Sequence, residues 1–318
     1  MGLYILVATL LHIPAIQQGI GSVVASAIGA KLGTKVSVGR VDLGLFNRII
    51  IDDVTILDQL GKNMLCSSRI AAKINLFDLL SGKVSVTSAQ LFSPVLQLYQ
   101  TSAKAKPNFQ FALDSLASKD STAKKPLNIS VSSFIMRHGN VSFHRHDKPV
   151  TPGRLNVNHI SVSDLNMYAS MPTLTDDTLS LSLRKFSLSE RSGICINRLS
   201  FNLFADRSKA CLSDFVLELP HSSLSVPAVT ATYRHRDGKL IPATVKIQGT
   251  IAQSTLTPAD VAFLLPSLRN FHSQVSCESE FSGTSTGLNI SKFKAGTTSG
   301  DLAIDVSVWV KKQSSQTL

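Results

Sequence analysis

Apolar residues recur at every second position through most of this chain, from Lys35 to Val310. Leu179–Leu183 reads LSLSL, and Leu302–Val310 reads LAIDVSVWV. A period of two predicts β-strands with one apolar face and one polar face. About fifteen such segments occur, against roughly three stretches with helical spacing. Because few helices are predicted to cover these faces, what covers them becomes the central question about function.

Composition limits the classes of ligand. Of 318 residues, 43% are hydrophobic but only 6% are aromatic, so Leu, Val and Ile line the apolar strand faces. An aliphatic lining suits ordinary packing and lipid acyl chains equally, and it suits base stacking poorly. The net charge is +11, with Lys and Arg scattered along the chain. We therefore expect no nucleic-acid partner, whereas attraction to anionic lipid head groups and simple solvation of strand faces both remain open.

Candidate catalytic and metal-binding motifs fail on their context. Gly283–Gly287 (GTSTG) matches the G-x-S-x-G nucleophile motif, but that motif needs a following helix, and Leu288–Ile290 resumes a strand pattern. A hydrolase using Ser285 is therefore only a third hypothesis, and we expect no enzyme. We also expect no cofactor, because no glycine-rich phosphate loop or dinucleotide fingerprint occurs. The four cysteines lack C-x-x-C spacing; they are Cys66, Cys195, Cys211 and Cys277.

Histidines gather in one short segment. His144 and His146 would lie on one face of a strand, with Asp147 next to them, and His138 is close in sequence. Such a set can ligate a metal ion. Basic neighbours such as Arg145 favour a solvated hairpin edge instead. We therefore predict no metal site.

Residues 1–33 differ from the rest of the chain. No charged residue precedes Lys31, and the apolar run Gly2–Leu11 would rise only about 15 Å as a helix, against about 30 Å for a bilayer core. We interpret this run as the end of a membrane anchor, with its lipid-facing residues at Leu3, Ile5, Leu6, Val7, Leu10 and Leu11.

A second helix is predicted to begin at Pro14, which fits the first helical position. Its apolar residues fall at spacings of three and four, as in an amphipathic helix that lies in a membrane interface or plugs a groove. An ordinary pair of core-packed helices is the alternative. The apolar stripe comprises Ile13, Ile16, Ile20, Val23, Val24, Ala27, Ile28 and Leu32.

Two β segments follow, at residues 34–118 and 127–318, with the Ser/Lys-rich stretch 117–126 as the linker. Asn108–Leu116 is predicted to be a short helix. Thr257 can cap another helix that starts at Pro258, with an apolar stripe at Val261, Leu264, Leu265 and Leu268 and an end or kink at Pro266.

Three stretches resemble the AsmA/TamB-type family, which includes the TamB translocation and assembly modules. They are GTKVSVGRVDLGLFNRIIIDDVTILDQLGKNML (Gly33–Leu65), INLFDLLSGKVSVTSAQLFSPVLQLYQ (Ile74–Gln100) and LTPADVAFLLPSLRNF (Leu256–Phe271). The likeness covers most of the chain. Family members are far longer, so it implies that this chain is an N-terminal portion.

The resemblance implies a mainly β fold: a long curled antiparallel sheet of repeating strands that forms a β-groove. It also implies an inner-membrane anchor, a bulk in the periplasm, and a groove that carries phospholipid acyl chains toward the outer membrane. An outer-membrane barrel of the Omp85 type is an implied partner.

The groove-lining positions that we predict are apolar residues of alternating segments: Val84, Val86, Leu179, Leu181, Leu183, Val245, Ile247, Leu302, Ile304 and Val306. The alternative is a structural or adhesive β-sandwich or solenoid without a lipid ligand, which predicts a dry, filled core.

Overall fold

The computed structural model describes residues 14–44, 48–74, 84–117, 127–174, 177–236, 239–297 and 300–311. These residues are mainly β, as the alternation predicts. The helices in this part of the chain are α1 (Pro14–Leu32), α2 (Gln110–Ala117) and three short 3-10 helices, at Pro242–Thr244, Pro258–Val261 and Pro266–Asn270.

The strands closely follow the alternating segments. The first eight are β1 (Val36–Ser37), β2 (Arg40–Gly44), β3 (Arg48–Leu57), β4 (Asn63–Ile74), β5 (Val84–Phe92), β6 (Val95–Gln100), β7 (Leu127–Arg145) and β8 (His159–Leu174). The next six are β9 (Leu179–Glu190), β10 (Cys195–Ala205), β11 (Lys209–Glu218), β12 (Ser223–Thr232), β13 (His235–Arg236) and β14 (Lys239–Leu240). The last four are β15 (Lys246–Leu256), β16 (Val275–Thr284), β17 (Gly287–Thr297) and β18 (Ala303–Lys311).

Sixteen of the described strands form one sheet, and β13 with β14 forms a separate two-stranded ribbon. The main order is β1-β3-β4-β5-β7-β8-β9-β10-β11-β12-β15-β16-β17-β18, with β2 beside β3 and β6 beside β4 and β7. The antiparallel expectation is confirmed for most pairs but is wrong for β7, which runs parallel to both β5 and β6. The connection from β6 to β7 includes α2 and is long enough for the crossover that a parallel pair needs.

The chain divides into two compact units. Unit 1 comprises Met1–Met167 with Ser189–Ser192, and unit 2 comprises Tyr168–Leu188 with Gly193–Leu318. Residues 118–126 of the predicted linker lie outside the described residues, so the predicted division at that point stays a prediction.

In unit 1, α1 is present from Pro14 as predicted, but it packs through small residues. Gly21 is buried, and a Cβ there would lie 3.2 Å from Cγ2 of Val38 and 3.8 Å from Cγ2 of Val41. Val23, on the predicted apolar stripe, is instead 68% exposed. This contact therefore does not follow the predicted stripe at Val23, because glycines let the helix backbone approach the strands closely.

The predicted membrane-anchor residues, from Leu3 to Leu11, lie outside the described residues. No helix in the described part of the chain has the length and apolar character that a membrane span requires. The apolar N-terminal helix that we expected therefore finds no support here.

A buried carboxylate holds the turn between β3 and β4. Asp58 is 3% exposed, and its Oδ1 accepts hydrogen bonds from the backbone N–H groups of Leu60 and Lys62, both at 2.9 Å. Its Oδ2 accepts a 2.7 Å bond from the Tyr99 hydroxyl and a 3.5 Å bond from Nδ2 of Asn108. This network ties the turn at residues 59–62 to β6 and to the segment that leads into α2.

Within several strands the alternation shifts phase at an aspartate of positive φ. In β11, Asp214 has φ 52° and lies between Leu212 and Phe215, so the apolar spacing there is three instead of two. The register with β10 shifts between Ser200 and Asn202, as expected for a β-bulge. The extra residue keeps Leu212 and Phe215 on one face. Aspartates at the same three-residue spacing, with similar φ, are Asp53 in β3 and Asp164 in β8.

The helix predicted from Thr257 begins at Pro258 as expected, but it is a 3-10 helix of four residues and not a continuous α-helix. Two short 3-10 helices stand there instead, and Leu264 and Leu265 of the predicted stripe are each 58% exposed. Pro266 disfavours a helical conformation at the residue before it, and Leu265 has φ −127° and ψ 88°.

Candidate functional site

In unit 2 the strand register aligns apolar side chains in rows, because directly paired residues of antiparallel strands point to the same face. We call this face of β10–β12 and β15–β18 the apolar face. Its first row is Leu203, Leu212, Val229, Gly249, Phe281, Ile290 and Val308. Its second row is Ala205, Ala210, Ala231, Ile247, Gly283, Leu288 and Val310.

The apolar face continues beyond the bulges. Leu199, Leu217 and Leu224 pair in sequence across β10, β11 and β12. Phe293 pairs with Val306 on the far side of the β17 irregularity. The bulges thus preserve one continuous apolar face although the apolar period changes within single strands.

The opposite face of the same strands is polar. Gln248, Ser282, Asn289 and Trp309 form one of its rows. Nζ of Lys292 lies 3.0 Å from Oε1 of Glu278, and this carboxylate raises the pKa of the lysine. The sheet of unit 2 therefore presents one aliphatic side and one mainly polar side, on which Phe204 and Trp309 also lie.

Nothing described in unit 2 forms a second layer over the apolar face. The helices of its described residues are 3-10 helices of three, four and five residues, which are too short to cover seven strands. Among the described residues of unit 2, the buried hydrophobic side chains are those of Val226 and Ala262. Side chains toward the β18 edge stay about 40% exposed, as at Leu288, Val306 and Val308.

Burial on the apolar face changes the ionisation of one cysteine side chain. Cys277 lies on it, paired with Ala295, and burial raises the pKa of the Cys277 thiol. None of the four cysteines forms a disulfide in the structure, and all are half-buried.

One glycine sets the packing at the centre of the first row. A Cβ on Gly249 would lie 2.6 Å from Cζ of Phe281 and 2.9 Å from Cγ2 of Val229. The Phe281 ring therefore occupies the space that the missing Gly249 side chain leaves on the apolar face.

We expect Gly249→Ala to lower the free energy of unfolding by about 1–3 kcal/mol, because the new methyl group displaces the Phe281 ring. Urea denaturation followed by circular dichroism measures the change. In the double variant Gly249→Ala/Phe281→Ala, the free energy of unfolding should fall by much less than the sum of the two single losses, because the smaller side chain at position 281 leaves room for the new methyl group. Additive losses in the double variant would contradict this packing.

Unit 1 has its own apolar row, formed by Val41, Ile51, Ile70, Leu91 and Met136. At its β2 end Val41 is only 6% exposed, because α1 packs there. In unit 1 a helix thus closes the end of the apolar row, a cover that the described part of unit 2 lacks.

Several predicted lining residues lie on the apolar face. Ile247 belongs to its second row, and Ile304 and Val306 project from β18 on the same side. Val245 and Leu302 immediately precede β15 and β18.

The β9 leucines lie on the same side of the sheet. The Ser182 hydroxyl donates a 2.7 Å hydrogen bond to Oδ1 of Asn202 on the polar face, so Leu181 and Leu183 point the other way. Leu179 has the same phase and is also half-buried. The structure places Val84 and Val86 on β5 but does not describe their side chains. Whether any of these residues lines a groove stays a prediction.

The candidate nucleophile motif is a hairpin. β16 ends at Thr284 and β17 begins at Gly287, so Ser285 and Thr286 form a two-residue turn between strands. The hydroxyls of Thr284 and Thr286 lie 3.0 Å apart. A strand follows the motif where a nucleophile elbow has a helix.

The clustered histidines take separate partners. His138 Nδ1 lies 2.7 Å from Oδ1 of Asp164, His144 Nδ1 lies 3.3 Å from Nδ1 of His159, and the His146 ring stacks on Tyr99. Burial lowers the pKa of His144, and His159 adds to the effect. Among the described residues, no three His, Cys, Asp or Glu side chains are grouped to hold a metal ion.

Comparison of the chain with models of known protein families and with curated proteins found no match to either.

Proposed function

We propose that this protein binds the acyl chains of phospholipids on the apolar face and acts as a module of a lipid-conducting groove. The observation that carries the proposal is the continuity of that face across seven neighbouring strands without a described layer above it. At about 4.8 Å per strand, the face extends roughly 29 Å from β10 to β18.

The energetics favour reversible binding. An acyl CH₂ group fully removed from water contributes about 0.8 kcal/mol, so one covered from a single side contributes roughly half of that. Two chains with about ten covered CH₂ groups each would gain on the order of 8 kcal/mol, which corresponds to a micromolar dissociation constant before entropic costs. Such binding is strong enough to hold a lipid and weak enough to release it.

The chemistry of the lining suits movement along the face. Aliphatic contacts have no preferred direction, so a chain can shift between rows without breaking hydrogen bonds. No residue acts as a catalyst in this proposal.

The wider setting that we propose comes from the resemblance to AsmA/TamB-type proteins. In that setting the chain is anchored to the inner membrane, lies mainly in the periplasm, and contributes to phospholipid transport to the outer membrane or protein assembly within it. An Omp85-type barrel is the proposed partner there.

A closed β-sandwich without ligand is less well supported. It requires two sheets face to face around a filled core. The described strands form one large sheet and a two-stranded ribbon, and few of their hydrophobic side chains are buried.

Lipid carried through purification tests the proposal. We expect protein extracted gently from membranes to retain phospholipid, detected by mass spectrometry after organic extraction. After delipidation, a fluorescent fatty acid, which has one chain and so about half of that gain, should bind with roughly millimolar affinity, and phospholipid should displace it. Protein that emerges lipid-free and does not bind the fatty acid would contradict the proposed function.

A further inference from the structure

Positive charge gathers at one end of the strands of unit 2. Arg207 in the turn from β10 to β11 and Lys209 at the start of β11 are exposed, and so are further basic residues from the end of β12 to the first residue of β15. We call four of the latter the basic rim: Arg234, Arg236, Lys239 and Lys246.

Backbone contacts hold these segments together. The N–H of Tyr233 donates to the carbonyl oxygen of Ser208 at 2.9 Å, and Nδ1 of His235 lies 2.8 Å from the carbonyl oxygen of Arg207. Lys209 and Lys246 both pair with Thr232, from its two sides. The cations therefore lie in one small region at the strand ends.

The basic rim is not neutralised within the described residues. Arg207 is paired with Asp177, and Oδ1 of Asp206 accepts hydrogen bonds from the backbone of the same turn. The four cations of the basic rim have no ion pair with any described carboxylate. One acidic residue, Asp237, lies among them in the sequence.

The other end of the same strands is closer to neutral. Glu218, Asp260 and Asp301 lie there with the cations Arg198, which pairs in register with Glu218, and Arg269. Asp260 is engaged by the Ser222 hydroxyl at 2.7 Å and by Nδ1 of His221 at 3.0 Å. The charge that distinguishes the two ends is therefore concentrated at the basic rim.

The basic rim lies at the strand end where the second apolar row also lies. Lys246 immediately precedes Ile247 of that row, so its side chain points to the polar face at the same end of the strand. Cations without an ion pair to a described carboxylate, at the end of strands with an aliphatic face, match the boundary of a bilayer, where anionic phosphates lie next to acyl chains.

We propose that the basic rim docks on the surface of an anionic phospholipid bilayer. Docking there brings the end of the apolar face to the head groups, where acyl chains can pass between bilayer and protein. This second step rests on the proposed function, whereas the docking itself does not.

Sedimentation with vesicles tests the docking. The full chain is mixed with phosphatidylcholine vesicles that contain or lack 30% phosphatidylglycerol. The test variant is Arg234→Gln/Arg236→Gln/Lys246→Gln. The control is Lys185→Gln/Arg198→Gln/Arg269→Gln, which removes the same charge from exposed positions outside the basic rim.

We expect phosphatidylglycerol to strengthen binding of the wild type and of the control variant. At about 1 kcal/mol per cation near an anionic surface, the test variant should lose affinity for these vesicles on the order of a hundredfold. Raising the salt concentration to about 1 M, where the screening length falls to about 3 Å, should abolish the phosphatidylglycerol-dependent part of vesicle binding by the wild type. Any binding by the apolar run Gly2–Leu11 adds equally to both vesicle types and is subtracted.

Equal losses in the two variants would assign the effect to net charge and overturn the docking proposal, as would a test variant that binds like the wild type. Fatty-acid binding, measured on the same samples, separates the two proposals. Docking without fatty-acid binding would contradict the proposed function alone, and fatty-acid binding without dependence on phosphatidylglycerol would contradict the docking alone.

Discussion

Two glutamates on the apolar face are expected to abolish acyl-chain binding while the sheet stays folded. Ile247 and Leu288 lie in one row on either side of Gly283 and are 36% and 40% exposed. In Ile247→Glu/Leu288→Glu without lipid, the carboxylates reach water, so we expect the free energy of unfolding to change by only about 1 kcal/mol. With lipid bound, the same carboxylates would be covered by acyl chains, and burying an unpaired charge costs several kcal/mol.

The expected result is at least a hundredfold weaker binding of a fluorescent fatty acid, roughly 3 kcal/mol, with a nearly unchanged urea midpoint. The matched control is Gln248→Glu/Asn289→Glu, which places the same charges one residue further along each strand on the polar face. The control should bind like the wild type. If the apolar-face variant unfolds, a filled core between two layers becomes the better explanation. If it binds normally, the apolar face is not the lipid site.

The largest effect on stability is expected from Asp58→Ala. The substitution leaves the N–H groups of Leu60 and Lys62 and the hydroxyl of Tyr99 without their acceptor. These donors are partly buried, and each one left unsatisfied costs about 1–3 kcal/mol, so we expect a loss of about 3–5 kcal/mol by urea denaturation. Asp206→Ala is the control, because Asp206 accepts two similar backbone hydrogen bonds at an exposed turn. We expect it to lose about 1 kcal/mol, and equal losses in both variants would contradict a special role for burial.

The hydrogen-bonded pair of Asp58 and Tyr99 gives the stability of unit 1 a defined pH dependence. Burial raises the pKa of Asp58, but hydrogen bonds from Tyr99, Lys62, Leu60 and Asn108 outweigh it and leave that pKa below its usual range. This contribution to stability is present above about pH 4 and is lost as the pH falls through the lower folded pKa. Burial and the Asp58 carboxylate raise the pKa of Tyr99 to about 12, so stability should also fall between about pH 10 and pH 12. Tyr99→Phe should remove the alkaline loss, which urea titrations across this range would detect.

Local sequence signals located most strands and turns. The alternation in LSLSL and in LAIDVSVWV marks β9 and β18, and the turn at Gln59–Lys62 lies where Gly61 and its polar neighbours predict it. These features depend on the residue period and on turn chemistry, which neighbouring residues determine among themselves.

The β-bulges and the close packing of α1 also have sequence signals, which a simple search for alternating or helical apolar spacing does not detect. An aspartate inside an apolar spacing of three, as between Leu212 and Phe215, marks a phase shift that keeps one face apolar. Asp tolerates the left-handed conformation that such a position needs. Similarly, Gly21 and Gly29 lie eight residues apart in α1, which is typical of a helix face in close contact with another element.

The sequence by itself determined that this protein consists of strands with one aliphatic and one polar face, because side-chain alternation is a property of each strand alone. Only the tertiary structure decided that β7 runs parallel to β5 and β6, that the rows of unit 2 align across the bulges, and that the cations of the basic rim lie together at one end of the strands. The reason is that register and strand order depend on pairings between residues far apart in the chain, and no local pattern specifies which pairings form.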